Sequence, residues 1–147
     1  QMITHTIYIP CVPPKATHQG SAMIMKRKDG SSFVGKAHNS AGARAKRNLL
    51  NLLCWKAPKQ PFDCAVEVEV IIVFPWRKSE PKKNRALGSM PCTTKPDLDN
   101  YAKLLLDAMC EANYLTRDQL IYKLTMSKFW GDDVGITIRI CDDTTED

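Results

Sequence analysis

The stretch Val66-Glu67-Val68-Glu69-Val70-Ile71-Ile72-Val73-Phe74 decides the fold. Its first half alternates valine with glutamate, which places apolar side chains on one face of a strand, and its second half is continuously apolar. A strand of this composition must bury at least one face against another element. We therefore predict a β-strand at 66–74.

Outward from this strand, alternating β-forming residues predict further strands, with proline and glycine marking their ends. They are predicted at 4–9, 23–25, 32–34, 120–130 and 134–141. An Asp29-Gly30 pair between the second and third of these predicts a hairpin with a basic tip.

Apolar residues at helical spacing predict two helices, at about 41–56 and 97–111. The expected core-facing residues are Leu49, Leu50, Leu52 and Leu53 on the first and Tyr101, Leu104, Leu105, Ala108 and Met109 on the second. Asn39 or Ser40 is the expected cap of the first helix, and Asn113 the expected left-handed end of the second. The predicted class is α+β (mixed α/β), with a mixed β-sheet packed against two main helices.

The chain of 147 residues has the size of one domain, so we predict a single domain over 1–147 whose acidic end, about 142–147, frays. No segment approaches the roughly 18 apolar residues of a membrane span, and no apolar leader opens the chain. The six cysteines form no C-x-x-C pair and the three histidines complete no zinc pattern. We therefore expect reduced thiols, a cytoplasmic location and no membrane contact.

The net charge of +5 conceals an uneven distribution. Residues 1–95 hold 16 lysines and arginines against 5 acids, whereas residues 96–147 hold 5 against 11. A basic majority beside an acidic minority is typical of a polyanion-binding surface that surrounds a cation-binding pocket.

The segment Lys95-Pro96-Asp97-Leu98-Asp99-Asn100-Tyr101-Ala102-Lys103 carries the candidate chemistry. Two carboxylates stand at the mouth of the second helix, and oxygen ligands of this kind are those that Mg²⁺ prefers. Lys103 follows Asp99 by four residues and so lies on the same helical face. Asp118 follows the helix, where the return of the chain is expected to bring a third carboxylate beside the first two.

A structural interpretation of the same residues is also open. Asp97 before a helix is a common N-cap, and Asp99 in the first turn favours the helix dipole. Lys103 is spaced to pair with Asp99 or Asp107. A calcium-binding EF-hand is excluded, because Tyr101 and Ala102 occupy the next ligand and glycine positions of that loop.

Four parts of the chain follow one another in a recognisable order: Lys95-Pro96-Asp97-x-Asp99-Asn100, Lys103, Leu106-Asp107-Ala108-Met109 and Asp118-Gln119. This order resembles the RusA family signature K-P-D-x-D-N-x-x-K…L-D-A-L…D-D-x-Q. The resemblance implies a homodimeric, Mg²⁺-dependent Holliday junction resolvase with a mixed α/β fold, common in phage and prophage genomes. By this resemblance, Asp97, Asp99 and Asp118 match the metal-binding carboxylates and Lys103 matches the catalytic lysine. Mn²⁺ is expected to substitute for Mg²⁺, and no small-molecule cofactor is expected.

Two departures from the family pattern stand out. The family's K-x-R-P-R stretch is absent after Lys15, where Ala16-Thr17-His18-Gln19-Gly20 follow instead. Arg117 replaces the acid that usually precedes the last aspartate. Beside a metal site, the basic residues elsewhere are interpreted as phosphate contacts rather than as a solvated surface. The predicted DNA contacts are Lys15, Lys26, Arg27, Lys28, Lys78, Lys82, Lys83 and Arg85.

The predicted function is metal-dependent resolution of four-way junctions by paired symmetric nicks, in DNA recombination and repair, in a bacterial or phage-infected cell. Two alternatives remain at this stage. One is a metal nuclease that acts on other branched DNA, such as flaps or forks. The other is a junction-binding module without catalysis.

Overall fold

Strand 66–74 is the central strand of the main sheet in the computed structural model, which describes residues 3–15, 22–36 and 41–142. The strands are β1 (Ile3–Ile9), β2 (Ala22–Lys26), β3 (Ser32–Lys36), β4 (Val66–Phe74), β5 (Ser89–Pro91), β6 (Ile121–Gly131) and β7 (Gly135–Asp142). The helices are α1 (Ala41–Trp55), α2 (Lys82–Arg85) and α3 (Leu98–Glu111), and a 3₁₀ turn covers Asp118–Leu120. The predicted β4 is confirmed at both ends.

The main sheet has the strand order β1-β7-β4-β6-β5. Strand β4 runs parallel to β6 and antiparallel to β7, so the sheet is mixed, as predicted. A parallel neighbour requires a crossover connection, and α3 lies on that crossover between β4 and β6. Strands β2 and β3 form a separate antiparallel hairpin, whose tip turns at Gly30 with a φ of 89°. The predicted hairpin is confirmed.

The core lies between one face of the sheet and the two long helices, which also pack against each other. The alternate residues of β4 that share this face are all buried: Val66, Val68, Val70, Ile72 and Phe74. The predicted stripe of α3 is confirmed, since all five of its members are buried. On α1, Leu49 and Leu53 are buried, but Leu52 is 37% exposed, so its predicted place in the core is wrong. The stripe of α1 is therefore narrower than its leucine content suggested.

The residues that follow α3 determine the direction in which the chain turns back toward Asp118. Asn113 adopts a left-handed conformation with a φ of 65°, as predicted. The next residue, Tyr114, is fully buried, and its hydroxyl donates a hydrogen bond of 2.7 Å to the carbonyl of Leu53 on α1. This bond joins the ends of the two helices and fixes the direction in which the chain leaves α3.

Several other expectations need correction or fall outside the described residues. The connection from 75 to 96, for which the sequence shows no periodicity, contains α2 and β5. Asp142 does not begin a frayed tail, because it is the buried last residue of β7. The expected caps Asn39 and Ser40, and residues 143–147, lie outside the described residues. All six cysteines are free thiols.

Candidate active site

Asp97 occupies the N-cap position of α3 without capping the helix through its side chain. Its backbone is extended, with φ −70° and ψ 146°, and its carboxylate makes no cap hydrogen bond. A structural N-cap aspartate would direct an oxygen to an amide of the first turn. The side chain is exposed, so the carboxylate is available to a ligand outside the chain.

Asp99 and Lys103 lie one turn apart on the exposed side of α3. Neither side chain makes a hydrogen bond or an ion pair with another described residue. The pairing of Lys103 with Asp99 or Asp107 that the structural interpretation required is therefore not formed. Within the described residues, Glu111 of α3 forms an ion pair with Lys46 of α1.

A residue of the sheet, which the sequence did not indicate, holds the turn that leads into Asp97. The ammonium of Lys128, on β6, donates hydrogen bonds to the carbonyls of Thr94 and Pro96. Pro96 itself is buried. A lysine inside a strand gives no sequence signal of such a contact, because the two partners are main-chain atoms 34 and 32 residues away.

Asp118 begins the 3₁₀ turn after α3 and is exposed. It lines a shallow depression at the C-terminal half of α3, together with Lys46, Asp107, Cys110, Glu111 and Arg117. Partial burial, followed by the negative charges of Asp118 and Asp107, raises the pKa of the Cys110 thiol above its usual value. The return of the chain thus places Asp118 beside Asp107 and Cys110, at the far end of α3 from Asp97.

The distance along α3 separates the two groups of carboxylates. Asp107 follows Asp99 by eight residues, and at 1.5 Å per residue this separation spans about 12 Å of helix axis. Among residues 3–15, 22–36 and 41–142, no three histidine, cysteine or acidic side chains are placed to hold one metal ion. One chain therefore does not complete the expected three-aspartate site within its described residues.

The basic connection after β4 is a folded loop organised around a buried carboxylate. The side chain of Glu80 is 4% exposed and accepts hydrogen bonds from Asn84 at 3.0 Å and Arg77 at 3.1 Å. These hydrogen bonds, that from Asn84 first, hold the pKa of Glu80 below its usual value. The guanidinium of Arg77 also stacks on Trp130, 4.1 Å from the ring centroid. The loop is thus tied to the sheet.

This arrangement separates the predicted DNA contacts of the loop into two kinds. Arg85 donates a hydrogen bond of 2.8 Å to the carbonyl of Arg77, so its guanidinium is held against the loop. The lysines Lys78, Lys82 and Lys83 are exposed and make no side-chain hydrogen bond or ion pair with another described residue. Trp76, at the base of the loop, donates to the carboxylate of Asp132 at 2.8 Å and packs against the core.

The remaining predicted contacts lie in the N-terminal part of the chain. Lys26, Arg27 and Lys28 are exposed at or next to the hairpin tip, where the guanidinium of Arg27 stacks on Phe33 at 4.6 Å. Lys15 lines an open cavity of about 470 Å³ between the segment after β1 and α1, together with Arg44. These segments present a cationic surface.

The fold places exposed carboxylates and an exposed lysine together at the start of a crossover helix. The sequence profile of the family described as Endodeoxyribonuclease RusA matches residues 12–141. The chain belongs to the RusA endodeoxyribonuclease family, whose members are endonucleases that resolve Holliday junctions. The predicted family and the predicted fold class are thereby confirmed.

A protein of Bacillus subtilis (strain 168), called uncharacterized protein YqaN, is 30% identical to this chain. The match covers 86% of this chain and 94% of the relative. In the described part of the structure, no helix is long and apolar enough to cross a membrane.

Proposed function

We propose that this chain is a Mg²⁺-dependent endonuclease that resolves Holliday junctions by paired symmetric nicks during DNA recombination and repair. The proposal rests on the exposure and the surroundings of the four signature side chains. Asp97, Asp99, Lys103 and Asp118 are all exposed and make no side-chain hydrogen bond or ion pair with another described residue. Charged groups that the fold does not use are available to metal and phosphate.

The active form in this proposal is a homodimer. The carboxylates of one chain stand at opposite ends of α3, so a metal site with all three needs a second copy. Two α3 helices that face each other antiparallel about a two-fold axis place Asp118 of the partner subunit near Asp97 and Asp99. A C₂ dimer also presents two equal sites, which suits the two opposed strands of a four-way junction.

The roles of the residues follow from the chemistry of phosphodiester cleavage. When bound, Mg²⁺ or Mn²⁺ would lower the pKa of a coordinated water and neutralise charge on the phosphate. In this proposal the aspartates hold the metal, and the ammonium of Lys103 stabilises the phosphate as it becomes more negative. Phosphates of the junction arms are bound by the basic loop and the hairpin tip. The proposed location is the cytoplasm of a bacterial or phage-infected cell.

Cleavage of an immobile four-way junction tests the proposal. The variants Asp97→Asn, Asp99→Asn and Asp118→Asn should each abolish cleavage in Mg²⁺, yet bind the junction as well as the original chain in a gel shift. Asp133→Asn is the matched control, because this exposed aspartate lies in the turn between β6 and β7 and makes no side-chain hydrogen bond or ion pair with another described residue. Joint loss of binding and folding in all three variants would contradict the proposal.

The substrate class is tested by the same assay on flaps and replication forks at equal concentration. Preferred cleavage of either would identify a metal nuclease of another branched DNA. Tight junction binding without cleavage in Mg²⁺ or Mn²⁺ would identify a binding module.

Complementation between two inactive variants tests the shared site. A heterodimer of Asp97→Asn with Asp118→Asn contains one site with all three aspartates if Asp118 acts across the dimer. Mixing the two variants should then restore nicking of a supercoiled cruciform, with little linear product. If all three aspartates of a site come from one chain, both sites stay defective and no nicking returns. A monomer in light scattering that still makes paired cuts would refute the dimer.

A further inference from the structure

Lys128 is a partly buried cation of β6 that contacts the main chain just before the signature aspartates. Its ammonium donates to the carbonyl of Pro96 at 2.8 Å and also to that of Thr94. The main chain strengthens the link, because the amide of Cys92 donates to the carbonyl of Lys128 at 3.0 Å. Residues 92–96 are thus held to β6 from both a side chain and a backbone group.

The partners of Lys128 indicate what the residue does. A lysine ammonium has three donors, and two of them are directed at carbonyls of one short turn. No carboxylate forms an ion pair with Lys128 in the described parts of the chain. Its hydrogen bonds therefore fix the path of the turn, rather than balance a buried acid.

The turn leads directly into Asp97, whose extended backbone starts α3. The buried face of α3 fixes the helix against the sheet, so the orientation of Asp97 depends on how the chain arrives from Pro96. The Asp97 side chain forms no cap bond that would hold it independently. A displaced turn would therefore be transmitted to this carboxylate.

We propose that Lys128 is a positioning residue that sets the orientation of Asp97 for cleavage. The inference rests on the proposed function, in which Asp97 is a metal ligand. A misplacement of about 1 Å in an active site is enough to lower the rate about 10²-fold. Loss of the two hydrogen bonds should thus reduce turnover much more than it reduces DNA binding.

The test compares Lys128→Met, which removes the donors but keeps the length of the side chain, with Lys128→Arg, which keeps donors and charge. Lys123→Met is the control on the same strand, because an odd separation places Lys123 on the opposite face of the sheet. Single-turnover cleavage and junction affinity are measured for each variant. Hydrogen exchange of a peptide covering residues 93–101 reports on the turn without any need for cleavage.

We expect Lys128→Met to lose about 10²-fold in rate, keep its junction affinity within about twofold, and exchange faster in this peptide. Lys128→Arg should recover most of the rate, and Lys123→Met should match the original chain in all three measurements. Unchanged exchange in Lys128→Met, or faster exchange with an unchanged rate, would overturn the inference. If the original chain cuts no branched DNA, the proposed function fails, whereas faster exchange in Lys128→Met would still show that Lys128 holds the turn.

Discussion

Replacing Lys82 and Lys83 together with glutamine should weaken binding to every DNA and flatten its salt dependence. Both residues lie on α2, are exposed, and make no side-chain hydrogen bond or ion pair with another described residue. Arg85, on the same helix, donates to the carbonyl of Arg77 instead. The ammonium groups of the two lysines are therefore available to phosphate, whereas the guanidinium of Arg85 is held against the loop.

The size of the effect follows from counterion release. Each phosphate contact on duplex DNA contributes about 0.9 to the slope of log affinity against log salt, so two lost contacts reduce the slope by about 1.8. Between about 50 and 200 mM salt, a slope difference of about 1.8 changes the ratio of the two proteins' affinities by about 12-fold. The original chain should thus lose about 12 times more affinity over this range than the double variant does.

Fluorescence anisotropy over a salt series measures the slope, with a four-way junction and a linear duplex made from one of its arms. Lys59→Gln is the control, because Lys59 precedes β4 whereas α2 follows it. Strand β4, whose nine residues are about 30 Å long, lies between these two positions in the chain. An unchanged slope in the double variant, or an equal fall in Lys59→Gln, would refute the assignment of the loop to the DNA surface.

Three further predictions concern single residues. Lys103→Ala should slow single-turnover cleavage by about 10²–10³-fold with little loss of affinity, and a normal rate would exclude its catalytic role. Tyr114→Phe should lower the free energy of unfolding by about 1 kcal/mol in urea titrations, because it removes the buried bond to Leu53, and an unchanged value would show that the bond contributes nothing. Folding lowers the pKa of Glu80. The stability that its ionised carboxylate contributes is therefore present above the ordinary pKa of 4.5 and is lost as the pH falls through the lowered pKa of the folded state. Glu80→Gln should therefore lose less stability between pH 6 and pH 3 than the original chain, and equal losses would contradict this sign.

The sequence predicted the regular parts of the fold because their patterns are local. The alternation in 66–74 predicted β4 to the residue, since one buried face requires a period of two. The stripe of α3 was predicted in full for the same kind of reason, with a period of 3.6. The left-handed conformation of Asn113 was also predictable, because it depends on the backbone preference of this one residue.

The features that were missed depend on individual contacts that follow no regular period. The loop after β4 is ordered by the hydrogen bonds that Glu80 accepts from Arg77 and Asn84, and by the bond between Trp76 and Asp132, which are 56 residues apart. No periodicity records such contacts. Lys128 was missed because its partners are main-chain carbonyls, which every residue possesses. Leu52 was misplaced because spacing shows which residues share a helical face, but not how wide the contact on that face is.

The position of Asp118 shows a further limit of sequence spacing, and it has a functional consequence. The buried stripe of α3 prevents rotation of the helix, so the exposed series Asp99, Lys103 and Asp107 keeps a fixed direction and length. The left-handed turn after α3 then directs the chain to the far end of that series, where Asp118 lies beside Asp107. Side-chain rotation alone does not span the roughly 12 Å of helix axis between Asp99 and Asp107. In the proposed dimer the third signature aspartate comes from the other copy, so dimerisation is a condition for cleavage rather than only a means of pairing two cuts. Dilution below the dimer dissociation constant should then abolish even single-strand nicking.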